Sequence, residues 1–154
     1  MGELIRTYYE LNLSSADNSE TIKIFTNLKE EYYIFNGKKE GEYKAYHMNG
    51  ELWRVCNYIN DEIEGICTEY YIDGGNTVIF NYKNGKIEGE VKSYYPNGQL
   101  YTILNHTNGL KNGELKCYYS NGQLLNVYNY INDLIEGEYK SYHSNGQIDK
   151  VCNY

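Results

Sequence analysis

Apolar and aromatic residues come in short bursts, "GEVKSYY", "QLYTILN", "GELKCYY", "QLLNVYN", with Asn and Gly between them, and no burst is long enough for a helix. Each burst is rich in the β-branched and aromatic residues that suit a pleated strand, and each gap holds turn residues, so the pattern predicts successive β-hairpins. The pattern is periodic at 24 residues. Gly41, Gly65, Gly89, Gly113 and Gly137 are evenly spaced, and Gly50, Gly74, Gly98, Gly122 and Gly146 each follow by nine.

Counting from the first glycine of each unit, position 5 is always Tyr (Tyr46, Tyr70, Tyr94, Tyr118, Tyr142) and position 14 always Val or Ile (Val55, Ile79, Ile103, Val127, Val151). Position 16 is always Asn, and position 8 is Asn or Asp just before the second glycine. A tip such as Pro96-Asn97-Gly98 has the chemistry of a type I turn closed by a left-handed glycine. A return turn such as "NYKNGKIEG" (81–89) starts the next unit. The expected fold is all-β, an elongated single-layer antiparallel β-meander of 24-residue hairpins. It has about ten strands and a length of roughly 45–50 Å at about 4.8 Å per strand.

Register decides the faces. A three-residue bulged tip sets position 6 opposite position 10, and positions 2, 4, 6, 12 and 14 then share one face. A two-residue tip would shift every pairing by one. The sequence x-Pro-Asn-Gly-x favours the bulge. One face is then expected to carry Tyr or His at position 6, small residues at position 4 and the Val/Ile row. The other carries the position 5 tyrosines, Leu52, Leu100, Leu124 and Ile148, with Lys44, Lys92, Lys116 and Lys140 beside Glu42, Glu90, Glu114 and Glu138. Neither face reads as oily enough for a second layer.

Residues 1–30 lack the signature. There "YYELNL" (8–13) and "TIKIF" (21–25) flank a loop at 14–20 and read as a capping hairpin, leaving five units in 31–154. The last strand, ending at Tyr154, is expected to leave an edge open to a second copy, a possible homodimer contact.

The unit, with its Tyr-x-Asn-Gly-Gln-Leu tip, resembles the MORN repeat, in particular the MORN-variant repeats of antitoxin-like bacterial proteins and of giant-virus proteins. The resemblance covers residues 31–154 and implies a single-layer sheet that scaffolds protein or lipid contacts. Asp73-Gly74-Gly75-Asn76 and the stretch 105–114 depart from the pattern, so irregular hairpins are expected there.

Composition narrows the chemistry. The 20 tyrosines and 41% apolar residues suit a wet, thinly covered sheet, and the net charge of −7 disfavours nucleic acid and anionic lipid surfaces. No apolar run approaches the roughly 18 residues of a membrane span, and the start lacks a basic-then-apolar leader. Cys56, Cys67, Cys117 and Cys152 show no C-x-x-C spacing, so neither a metal cage nor a redox pair is expected, and a reducing cytoplasmic setting fits.

No catalytic residue, cofactor or metal site is expected. His47 and His143 stand in a Tyr column, as does His106 at position 17, and the repeated Glu-Gly-Glu triplets recur as scaffold would. Position 12 varies most (Trp53, Thr77, Tyr101, Leu125, Asp149). With the position 6 aromatics Tyr71, Tyr95 and Tyr119, Trp53 and Tyr101 are the candidate anchors for a protein partner. The expected function is a non-enzymatic scaffold. Self-association, lipid binding and, last, a hydrolase or metal enzyme are the alternatives.

Overall fold

The structure is a computed structural model and describes residues 2–14, 21–72 and 77–154. Strands β1 (Glu3–Ser14) and β2 (Thr21–Phe35) pair with each other, and β2 pairs with β3 (Lys38–Tyr46). The hairpin units follow: β3 with β4 (Leu52–Ile59), then β6 (Gly65–Tyr70) with β7 (Thr77–Lys83), and β9 (Gly89–Tyr94) with β10 (Leu100–Thr107). The last two are β12 (Gly113–Tyr118) with β13 (Leu124–Ile131), and β14 (Leu134–Tyr142) with β15 (Ile148–Asn153). Two-residue pieces β5 (Glu62–Ile63), β8 (Lys86–Ile87) and β11 (Leu110–Lys111) close return turns onto β4, β7 and β10.

All belong to one open antiparallel sheet in meander order, β1-β2-β3-β4-β6-β7-β9-β10-β12-β13-β14-β15. At about 4.8 Å per strand this is a ribbon about 50–55 Å long. The terminal hairpin is longer than the sequence suggests: β2 runs through the expected boundary at residue 30 and ends at its own Asn36-Gly37 turn. Residues 15–20 of the expected loop and residues 73–76 lie outside the described residues.

The tips take the bulged form. In the first unit the His47 amide donates to the Glu51 carbonyl (2.8 Å) and the Gly50 amide to the His47 carbonyl (2.9 Å); Tyr95/Gln99, Tyr119/Gln123 and His143/Gln147 repeat the arrangement. Gly98 sits at φ +80, which a side chain would strain. The position 8 Asn accepts the amide two residues on, Gln99 N–H to Asn97 Oδ1 at 3.0 Å, and Asn97 Nδ2 donates to the Ser120 carbonyl of the next tip at 3.1 Å.

The return turns are two-residue type I′ bends with both central residues at positive φ: Asn60-Asp61, Asn84-Gly85, Asn108-Gly109 and Asn132-Asp133. The 105–114 stretch is therefore as regular as the others, contrary to expectation, with Thr107↔Leu110 and His106↔Lys111 paired across its turn. Each turn is capped by the preceding unit. The Asn84 and Asn108 amides donate to Glu64 and Glu88 at 2.7 Å, and Asn60 to Glu40 at 3.0 Å. Glu40, Glu64 and Glu88, each just before the first glycine of a unit, are thus lateral clamps, and Asn112 Oδ1 takes that place for the Asn132 amide at 3.1 Å.

A second bulge changes the faces. Tyr46 pairs with Leu52, but Ala45 pairs with Arg54, so Trp53 is the extra residue; Tyr101, Leu125 and Asp149 are passed over in the same way. In the second unit Tyr70 pairs directly with Thr77 and no residue is extra.

Beyond the bulge the alternation inverts, and the Val/Ile row moves to the face of the lysines. Lys44↔Val55↔Thr68↔Ile79↔Lys92↔Ile103↔Lys116↔Val127↔Lys140↔Val151 runs as one line across the sheet. This corrects the expectation that the Val/Ile row lies with position 6. Glu90–Lys92 and Glu114–Lys116 ion pairs (2.7 Å), with Glu42–Lys44 and Glu138–Lys140, stand on this polar face.

The opposite face is the oilier one, though it carries no second layer. Positions 2 and 15 pair in register there, as Tyr43↔Cys56, Cys67↔Phe80, Val91↔Leu104 and Leu115↔Tyr128. Burial follows that line and its neighbours: Ala45, Cys56, Cys67, Ser93, Leu104, His106, Cys117 and Ser141 are the buried residues among those described. The ribbon is one sheet thick, with a narrow dry stripe roofed by rings.

Candidate interaction surface

The tip end of the oily face carries the candidate anchors. Tyr95 and Tyr101 meet at a ring spacing of 4.8 Å, and Trp53 lies 6.3 Å from His47, so positions 6 and 12 do share a face. Trp53 is on β4 and Tyr101 on β10, four strand spacings apart, or about 19 Å. They form two separate stations, not one pocket.

The position 6 residues have a structural duty that the sequence reading missed. Tyr95 and Tyr119 donate to the carbonyls of Tyr118 and Tyr142 at 2.8 Å, and His47 Nε2 lies 2.8 Å from the Tyr70 carbonyl. Each ring is a strut to the next tip, 23 residues on, which explains why His can stand in for Tyr there. Tyr71 is 54% exposed and makes no such bond among the described residues. The ring surface these contacts leave uncovered is therefore Trp53, Tyr71 and, half-buried, Tyr101 tilted against Tyr95.

A second cluster lies on the same face between the first two units. Val55↔Thr68 pairing sets Cys56 beside Cys67, although ten residues separate them in the chain. Arg54 Nε lies 3.1 Å from Cys67 Sγ and 3.3 Å from Glu69 Oε1, and its Nη2 lies 3.4 Å from the Tyr82 hydroxyl. The hydrogen bond from Cys56, joined by Arg54, holds the Cys67 thiol below its ordinary pKa against the opposing effect of burial. The same bond raises Cys56. Cys67 has no exposed surface, so the cluster ties units together and offers no open nucleophile. Among the described residues no three His, Cys, Asp or Glu side chains converge in a metal-binding group.

His106 occupies a column held by Tyr58, Tyr82, Tyr130 and Tyr154. Burial lowers its pKa, and Nδ1 is without a hydrogen-bond partner. A base whose pKa falls on folding is stabilising in its neutral form. Its contribution is full above the unfolded value of 6.5 and is lost as the pH falls from there through the lower folded value. Urea midpoints are expected to decline on acidification from pH 7.5 to 5.5, and His106→Tyr to flatten that decline; an unchanged slope would remove His106 as the cause.

The recurring bulged tip, type I′ return and lateral clamp define one structural unit, and sequence comparison finds the same unit. The MORN repeat variant matches residues 39–60, 87–108, 111–132 and 135–154, together more than half of the chain. The chain belongs to the MORN repeat variant family. The unmatched unit is the second, where Ile66 and Thr68 replace the Glu and Lys of the polar face and Thr77 at position 12 is paired rather than extra. That unit still holds its place in the sheet of this MORN protein, between β4 and β9. No curated protein sequence matches the chain significantly.

Proposed function

We propose that the protein is a non-enzymatic MORN scaffold that holds a protein partner against the tip end of its oily face. The observation behind this reading is the exposed rings there: Trp53 on β4 is 39% and Tyr71, just after the adjacent β6, is 54% exposed, and the position 6 aromatics recur every two strands, about 10 Å. Aromatic side chains at fixed pitch on a rigid support are the residues that anchor interfaces, and little ordering is needed on their side. A reducing, cytoplasmic setting belongs to the same proposal and keeps the free Cys56 and Cys67 as thiols. The assignment to the antitoxin-like and giant-virus type rests on the Tyr-x-Asn-Gly-Gln-Leu tips and is likewise proposed.

The test is affinity capture from the native host with Trp53→Ala/Tyr101→Ala beside the parent chain. Both leave the struts in place, so the β-sheet circular dichroism is expected to persist while partner recovery drops about tenfold or more. Equal recovery with both baits would exclude this face.

A further inference from the structure

Lys39 is enclosed by tyrosines. Its ammonium lies 4.2 Å from the centroid of Tyr32, 4.9 Å from Tyr43 and 5.2 Å from Tyr58, with ring spacings of 6.1 and 5.5 Å between neighbours. Each ring face attracts the cation, and three together replace part of its water shell.

Four periods later the same three rings return. Tyr128, Tyr139 and Tyr154 stand 96 residues after Tyr32, Tyr43 and Tyr58, at ring spacings of 5.9 and 6.2 Å. The residue equivalent to Lys39 is Ile135. The intervening units do not repeat the trio, since Cys, Phe, Leu, Val or His fills one or more of its places. Lys111, at the same position in the fourth unit, lies 5.1 Å from the Tyr130 ring, so a lysine here turns over the ring whenever it is present. Around Ile135 the rings border an open surface hollow of about 310 Å³, with Asn126 and Lys150 on its wall. Among the described residues no ammonium stands over these three rings.

We infer that Tyr128, Tyr139 and Tyr154 form a binding site for a primary alkylammonium group of the lysine side-chain type, supplied from outside the chain. The first unit shows what the arrangement holds when its own lysine is present. The last unit has the rings and the space without that lysine. The net charge of −7 draws cations to the protein, whereas Lys150 on the wall opposes them and sets the affinity low. The inference is independent of the scaffold proposal, because the site lies on the return-turn half of the face and needs neither Trp53 nor Tyr101.

The experiment is an NMR titration of the full chain with Nα-acetyl-lysine methylamide, with the norleucine analogue and choline as separate arms. Saturable upfield shifts of the lysine Hε protons are expected, with movement of the Tyr128, Tyr139 and Tyr154 ring signals and a dissociation constant on the order of 1–10 mM. Ile135→Lys rebuilds the first-unit arrangement at a position already 38% exposed, and should block binding while the remaining amide signals stay put. Tyr139→Leu should weaken binding about tenfold, and Lys150→Gln should strengthen it. Equal binding of the norleucine analogue, tighter binding of choline, undiminished binding by Ile135→Lys or weaker binding by Lys150→Gln would each overturn the assignment.

Discussion

Leu104→Ala is expected to lower the unfolding free energy by about 2–4 kcal/mol, the range for emptying a buried leucine site. Leu104 is 5% exposed on the dry line opposite Val91, and rigid strands on both sides prevent the sheet from closing the gap. Leu134→Ala removes the same atoms from a side chain that is 69% exposed, and is expected to stay within about 0.5 kcal/mol of the parent. Urea unfolding of the two variants side by side measures the difference. Equal effects would mean that the sheet has no preferred dry face.

Arg54→Met is expected to cost about 2–3 kcal/mol. Truncating one member of a fully buried ion pair costs roughly 3–5 kcal/mol, and Arg54 and Glu69 retain about a fifth of their side-chain exposure, which reduces the loss. The substitution leaves Glu69 without its cation and removes the donor that helps keep the Cys67 thiol low. Replacing Glu69 by Met as well should recover part of the stability, because two apolar neighbours need no counter-charge. A double variant less stable than Arg54→Met alone would show that Glu69 contributes by other means.

The architecture was legible because backbone demands repeat. Gly50, Gly98, Gly122 and Gly146 take positive φ, Asn97 and Asn121 bond both their own turn and the next, and a 24-residue pitch leaves meander pairing as the simplest solution. The faces were misread because position 12 looked like an ordinary strand residue. A signal was present: Leu100 and Ile103 are both apolar and three apart, an odd spacing that places them on one face only if a residue between them is extra.

The lateral contacts were hidden for a different reason. The strut from Tyr95 to the Tyr118 carbonyl ends on backbone, which leaves no residue type to recognise. The Cys56–Cys67 neighbourhood depends on the glycine bulge after each return turn, where pairing slips from the Asn57–Glu64 contact to Val55↔Thr68. The second tyrosine trio was in plain view as a column coincidence, yet only the position of the Lys39 ammonium gives it a meaning.

Small-angle X-ray scattering of the chain tests the open-ribbon architecture most directly. A single-layer sheet about 50–55 Å long, about 23 Å wide over the repeats and wider at the long strands β1 and β2, has a radius of gyration of about 18 Å and a longest dimension above about 60 Å. A compact domain of the same length would give about 15 Å. A value near 18 Å with an elongated distance distribution is the predicted result, and a compact 15 Å particle would contradict the account.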